Sequence, residues 1–403
     1  MRFINFVKTS VILAGFVIIS SCSNFSFGPN IGTSNISTFP QTQINPIGAV
    51  LPSANGQVIG SGNVRVALLL PLSGNLSNVG TSMANGTRLA MNYIEKNPNI
   101  NNNISIILKD TKGDANIAAN LAQQAVNEGA SLVLGPLRGE SVRAAGAITR
   151  SANIPLIGFS NTPSAASNGV YLLNVLPETE VKRSLSYARS LGKRSYVALT
   201  PASTFGQLQR NAFTKATTQL GLNVVNAHSF SNETEARIAL QAIIPLIQSG
   251  QVDSLFIPDR STAPSLAILL EAAGVDRNSL LIIGSADWEN DLNISQTPYL
   301  LGAVFPAIDD AGQLALKPEY EAKFGTTPHP FATIAYTATL LANSSALAKS
   351  SPPYNKALLT NASGFNGRDG LFRFLANGKS EYALIMKAVI AGGAQKIDAP
   401  RLP

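Results

Sequence analysis

The sequence predicts an α/β fold in two lobes, each a mostly parallel sheet flanked by helices, on three observations. From Asn63 onward, short apolar runs rich in branched residues alternate with helical patterns. Those runs are continuously apolar, as parallel strands covered on both faces require. The alternation occurs twice along roughly 340 residues, a length that suggests two domains.

The first set of strands falls at Val64 to Leu70, Ile104 to Leu108, Ser131 to Leu134 and Pro155 to Gly158. A helix carrying Val79, Met83, Leu89, Ala90 and Tyr93 follows the first strand. Asp114 is placed to cap the next helix, with Ile117, Leu121, Ala125 and Val126 on one side and Gly129 as its stop. Near residues 175 to 180 a new helix starts a second set, with strands at Tyr196 to Thr200, Ser254 to Ile257 and Leu280 to Ile283. Ser261 or Thr262 opens a helix with Pro264 just inside, closed by Gly274. A helical stretch at Phe331 to Ala348 follows. The segment "GLFRFLANGKSEYALIMKAVI" then reads as a hairpin turning at Ala376 to Lys379. The expected organisation is lobe 1 at 63–177, lobe 2 at 178–304, a return to lobe 1 at 305–350, and a C-terminal hairpin returning to lobe 2 at 351–403.

The N-terminal residues point to export. Arg2 and Lys8 accompany an apolar stretch from Val11 to Ile19, far short of the about 20 residues that span a bilayer. Residues 1–22 therefore read as a signal peptide. Cys22 is the only cysteine, so a disulfide within one chain is excluded. From Ser23 to Gly62 there is no Asp, Glu, Lys or Arg, and small polar residues dominate. Such a segment buries too little apolar surface to order itself. It reads as a flexible tether, 23–62, reaching roughly 35 Å.

Composition narrows the function. Charged residues are 13% and apolar residues 45%, and the formal charge of +7 falls to +5 without Arg2 and Lys8. No dense basic run with interleaved aromatics appears, and an exported chain does not normally meet nucleic acid. The positive excess reads as solvated faces or as affinity for an anionic partner such as cell-wall polymer. Gly74, Gly80 and Gly86 follow the first strand at six-residue spacing. That matches neither a P-loop nor a dinucleotide turn. Only two histidines occur, His228 and His329, with no metal-ligand spacing, so neither catalysis nor a cofactor is expected.

Several stretches together resemble the type I periplasmic binding proteins, the family of the leucine/isoleucine/valine receptors. They are "VALLLPLSG" at 66–74, Gly80, Gly86, "LKDTKGD" at 108–114, "LVLGPL" at 132–137, "IPLIGFSNT" at 154–162 and "FGQ" at 205–207. Their order matches across the chain after the tether. "LLLPLSG" and "VLGPL" are most similar to the lipoprotein branch of penicillin-binding protein activators. Cys22, after a small residue at the end of the apolar stretch, resembles a lipobox, which implies cleavage before it and acylation. Ser23 in place of Asp permits outer-membrane sorting.

The resemblance implies a two-lobed fold with a ligand cleft, and open α/β sheets bind ligands beyond their strand carboxyl ends. Ser73 and Gly74 are expected to line it. The family's small hydroxyl position aligns near Gly139, with Ser141 two places on. Ser160 and Thr162 fall at its carboxylate and ammonium contacts, with Asn161 between them, or all three only cap a helix. Phe205 stands at its stacking tyrosine, and Phe205 and Trp288 serve either as platforms or as core aromatics. The family's acid aligns near Ala286, with Asp287 and Trp288 beside it. Arg138, Asp259 and Arg260 follow strands, where an arginine either clamps an anion or sits in solvent. The implied function is a receptor for amino acid import, lipid-anchored on the periplasmic face of a bacterial membrane, handing a small amino-acid-like ligand to an ABC permease. The alternative is a regulator docking on a penicillin-binding protein that synthesises peptidoglycan.

Overall fold

The computed structural model describes residues 53–403. The signal peptide, Cys22 and most of the tether lie outside the described residues. The element order is β1 (Gln57–Ile59), β2 (Val64–Leu70), α1 (Ser77–Lys96), β3 (Ile104–Asp110), α2 (Ala115–Asn127), β4 (Leu132–Leu134), α3 (Gly139–Ser151), β5 (Leu156–Gly158) and β6 (Val170–Leu172) in lobe 1. Lobe 2 continues with α4 (Pro177–Ser190), β7 (Ser195–Pro201), α5 (Thr204–Leu220), β8 (Asn223–Phe230), α6 (Glu233–Gln248), β9 (Ser254–Phe256), α7 (Ala263–Ala272), β10 (Leu281–Ile283), α8 (Leu292–Gln296) and β11 (Val304–Ala307). The chain then runs through α9 (Ala311–Phe324), α10 (Phe331–Asn343), α11 (Ser345–Ala348), α12 (Lys356–Leu359), β12 (Phe365–Gly367), β13 (Gly370–Phe374), β14 (Ser380–Tyr382), β15 (Leu384–Ile390) and β16 (Gly393–Arg401).

Two large sheets result, ordered β1-β3-β2-β4-β5-β6 and β16-β15-β11-β10-β9-β7-β8. Strands β2 to β6 pair in parallel, as do β7 to β11, while β1, β15 and β16 add antiparallel edges. Alternation along β2 shows why both faces are apolar. Val66, Leu68 and Leu70 pack with Met83 and Met91 of α1 and Ala338 of α10. Ala67 and Leu69 face Ala118, Ala122 and Ala125 of α2 and Val142 of α3. Each fully buried Leu there contributes about 1.5–3 kcal/mol.

The structure departs from the expected boundaries in three places. Residues 57–59, assigned to the tether, form β1 against β3. The return to lobe 1 begins only after Ala307, because β11 belongs to the second sheet. The hairpin turning at Ala376 to Lys379 does form, as β13 and β14, but with β12 it makes a separate three-stranded sheet. Its Phe372, Phe374 and Tyr382 are buried in the lobe 1 core, so only β15 and β16 return to lobe 2. Arg183 of α4 fastens that return, its Nε donating to the Leu384 carbonyl at 2.8 Å and its guanidinium meeting Asp398 at 2.6 Å.

Three crossings join the lobes: residues 173–176, residues 308–310 and Ala383. The first two leave from the carboxyl ends of β6 and β11. At the third, Ile385 of β15 lies beside Ala307 of β11, again a carboxyl end. The loops that follow the parallel strands of both sheets therefore open toward the gap between the lobes.

Two of the regularly spaced glycines turn out to be packing residues. A Cβ at Gly80 would stand 2.0 Å from the Pro71 carbonyl oxygen, and one at Gly86 2.3 Å from that of Ala332. Helix α1 thus lies directly on the loop after β2 and on α10. Gly86→Ala should lower the unfolding free energy by about 2 kcal/mol, because overpacking outweighs the ~1 kcal/mol gained in helix propensity. A urea denaturation midpoint unchanged from the wild type would contradict this packing.

Candidate functional site

The lobe 1 wall is built on the loops after β2, β4 and β5. Asp110, at the end of β3, organises the first of them. Its carboxylate accepts from the Ser73 hydroxyl at 2.7 Å and from the backbone N–H groups of Leu72, Ser73 and Lys112 at 2.8, 3.3 and 2.9 Å. Burial opposes its charge, yet the Ser73 hydroxyl and these N–H groups prevail and hold its carboxyl below the ordinary range. Gly74 is exposed at the tip with φ +79°. Across the wall, Thr162 is half-buried against the start of α3, where a Cβ on Gly139 would sit 3.0 Å from the Thr162 hydroxyl oxygen. The Thr162 N–H donates to the Ser160 hydroxyl at 3.1 Å, whereas the Thr162 side chain caps no helix end. Asn161 is exposed beside it. Arg138 is exposed at the amino end of α3, with Nε 2.5 Å from Glu140.

The lobe 2 wall carries the aromatic and acidic groups. Phe205 is half-buried in the first turn of α5. That turn is fixed by Ser203, whose hydroxyl accepts from the Gly206 N–H at 3.2 Å. Asp287, after β10, is exposed. Arg260 lies 3.8 Å from Asp287 and 3.8 Å from Asp291. Glu180, in the first turn of α4, is held by Gln209, whose amide donates to it at 3.4 Å. Burial raises the Glu180 carboxyl to about 7, eased by the Gln209 hydrogen bond and reinforced by the Asp287 charge. The Gln209 amide oxygen is buried without a partner.

Four expected contacts change meaning. Trp288 is 1% exposed and folds over Gly284 into the lobe 2 core, so it is no stacking platform. Ser141, the third residue of α3, is 1% exposed, its hydroxyl buried without a partner. Asp259 turns inward to accept from the Thr262 N–H at 3.0 Å and the Thr262 hydroxyl at 2.8 Å. It shapes the start of α7 in place of a Ser261 or Thr262 cap. The Ser160 hydroxyl serves its own loop. Ser73, Gly74, Arg138, Asn161 and Thr162 remain together on one wall, and Phe205, Arg260 and Asp287 on the other.

Sequence reasoning missed Asp110, Glu180 and Gln209. Asp110 carried a signal, an acid ending an apolar strand just before a turn. Glu180 and Gln209 looked like ordinary helix-surface residues until α4 packed on α5. Among the described residues no group of three His, Cys, Asp or Glu could hold a metal ion. His329 is committed to the start of α10, its N–H donating to Ser82 at 2.8 Å and its Nδ1 accepting from the Phe331 N–H at 3.2 Å.

These two lobes, with loops after parallel strands converging between them, define a class of binding proteins. The chain belongs to the family described as periplasmic binding protein, whose profile matches residues 63–383. That is a family of solute binders, not of enzymes. Among solved structures it is similar to one assigned provisionally to branched-chain amino acid ABC transport in Rhodospirillum rubrum, with TM-score 0.69, 20% identity and coverage of 83% and 99% of the two chains. It is also similar to an ABC transporter substrate-binding protein of Desulfitobacterium hafniense in complex with Leu, with TM-score 0.59, 17% identity and coverage of 83% and 99%. Among curated proteins it is 27% identical over 139 residues to the penicillin-binding protein activator LpoA of Enterobacter sp. (strain 638). That match covers 34% of this chain and 19% of LpoA.

Asp110 supports a pH test of the lobe 1 wall. Its folded pKa is depressed, so its stabilisation is complete above the unfolded value of about 3.9 and disappears as pH falls through the lower folded value. Asp110→Asn should therefore melt below the wild type at pH 7, with the two curves converging as the pH falls through the depressed folded value. A constant gap across that range would show that the charge plays no part.

Proposed function

We propose that this protein is a lipid-anchored solute receptor on the periplasmic face of a bacterial membrane, taking a small amino-acid-like ligand between its lobes. Glu180 carries the reading. Its carboxyl feels the charge of a second acid, Asp287, and is bonded to Gln209, whose amide oxygen is unpartnered. All three accept hydrogen bonds, and together they suit an ammonium group. Without such an acid an ammonium would lose several kcal/mol on leaving water.

The opposite wall suits a carboxylate. The Thr162 hydroxyl is not used in capping, and it lies at the amino end of α3, where free N–H groups and the helix dipole favour an anion. Ser73 and Gly74 close that wall, and Phe205 supplies an apolar surface for the side chain. Acylation at Cys22 would anchor the chain, each buried CH₂ contributing ~0.8 kcal/mol, and Ser23 permits the outer membrane. The receptor would then deliver its ligand to an ABC permease.

A second reading, a regulator docking on a penicillin-binding protein, is favoured by the LpoA similarity alone. Thermal melting of the full chain against amino acids and muropeptides separates the two. A ligand at 100 times its dissociation constant adds about 2.7 kcal/mol; an unresponsive panel would support the regulator.

Two variants test the site. Thr162→Ala should weaken amino acid binding at least tenfold by calorimetry. Glu180→Gln should weaken it similarly and also alter the free protein. Because the folded Glu180 pKa is raised, its contribution to stability is complete below the unfolded value of about 4.3 and is lost as pH rises through about 7. The Gln variant should thus melt with the wild type at pH 4 and above it at pH 8. Equal affinity in wild type and Glu180→Gln would remove the acid from ligand recognition.

A further inference from the structure

A second cavity lies in lobe 1 at the opposite end of the sheet from the cleft walls. Its volume is about 310 Å³, near the lower end for small-molecule sites. It opens beside the amino ends of β5 and β6 and the carboxyl end of α3, and the segment between α11 and α12 closes its far side. Its apolar surface comes from Ile154, Pro155, Pro352 and Pro353, with the Tyr171 and Tyr354 side chains buried behind it.

Its polar character is one-sided. Arg150 and Lys356 line it, and no Asp or Glu does. Arg150 donates to the Ser167 hydroxyl at 2.9 Å and Lys356 to the Asn168 side-chain oxygen at 2.7 Å. Among the described residues neither cation has a carboxylate within ion-pair distance. Neutral oxygens hold both side chains in place and leave both charges uncompensated at the same opening.

The far wall is also fixed in shape. Tyr354 adopts φ +53°, a conformation that is rare for a bulky residue and costs of order 1–3 kcal/mol. It is held by its N–H donating to the Leu347 carbonyl at 2.9 Å and its hydroxyl donating to the Ala342 carbonyl at 2.8 Å. The volume admits a molecule of one or two rings and excludes a helix, whose diameter is about 10 Å.

We propose that this cavity is a second binding site, for a small organic anion with a flat apolar body, its ring against the proline-lined wall and its charge between Arg150 and Lys356. It is independent of the interlobe reading. The test is calorimetric titration of the full chain with 2-naphthoate and with its neutral amide. We expect saturable 2-naphthoate binding, at least tenfold weaker binding of the amide, and at least tenfold loss in the Arg150→Gln/Lys356→Gln double variant, whose exposed substitutions leave the core untouched. Glu180→Gln should leave the 2-naphthoate affinity unchanged, which separates this site from the cleft. Absence of saturable binding, equal affinity for the amide, or loss through Glu180→Gln instead of the double variant would each overturn the proposal. So would self-association by sedimentation that the double variant abolishes, since a second copy of the chain would then cover the groove.

Discussion

Parallel pairing within two separate sheets is the constraint on which the rest of the structure depends. Parallel strands all deliver their carboxyl ends to one edge, and in both sheets that edge is where the chain crosses between lobes. The residues after each strand are thereby freed from the core and brought opposite one another. In the central strands nearly every position is required for burial, since both sheet faces carry helices. The polar groups of the two walls sit at that edge, while the opening lined by Arg150 and Lys356 lies at the opposite end of the lobe 1 sheet.

Close backbone approach makes the arrangement rigid. Gly80 and Gly86 let α1 lie on the loop after β2 and on α10, and Gly206 does the same for α5, where a Cβ would stand 1.8 Å from the Pro201 carbonyl oxygen. The two walls then differ in how their acids are treated. Asp110 is satisfied by hydrogen bonds and stabilises the turn that presents Ser73. Glu180 is held where its charge is disfavoured and is eased by one long hydrogen bond from Gln209. A group kept in such a state is more informative about ligand chemistry than a satisfied one, because a cation arriving there recovers what folding withholds.

Much of the fold was legible in the sequence. Strands buried on both faces announce themselves as unbroken apolar runs, and Asp114 caps α2 as its spacing predicts, accepting from the Ile117 N–H at 2.9 Å. Strand β8 was missed because it is an edge strand, largely exposed, with Asn, His and Ser interrupting any apolar run. The buried face of α2 is displaced from the expected one, to Ala118, Ala122 and Ala125, because small residues let that helix sit closer to the sheet. Of the candidate site, the loops were legible and the side-chain directions were not. Trp288 and Asp287 are neighbours in sequence, yet one enters the core and the other faces solvent.

By itself the sequence determined the two sets of βα units, where their strands lie, and which loops would carry polar residues. Those follow from local periodicity and turn chemistry. Only the tertiary structure decided that Glu180 would meet Gln209 and feel the charge of Asp287, that Trp288 and Ser141 would be buried, and that the terminal strands would divide between a small separate sheet and the edge of lobe 2. Each of these rests on contacts between residues far apart in the chain, for which neither spacing nor composition leaves a local trace.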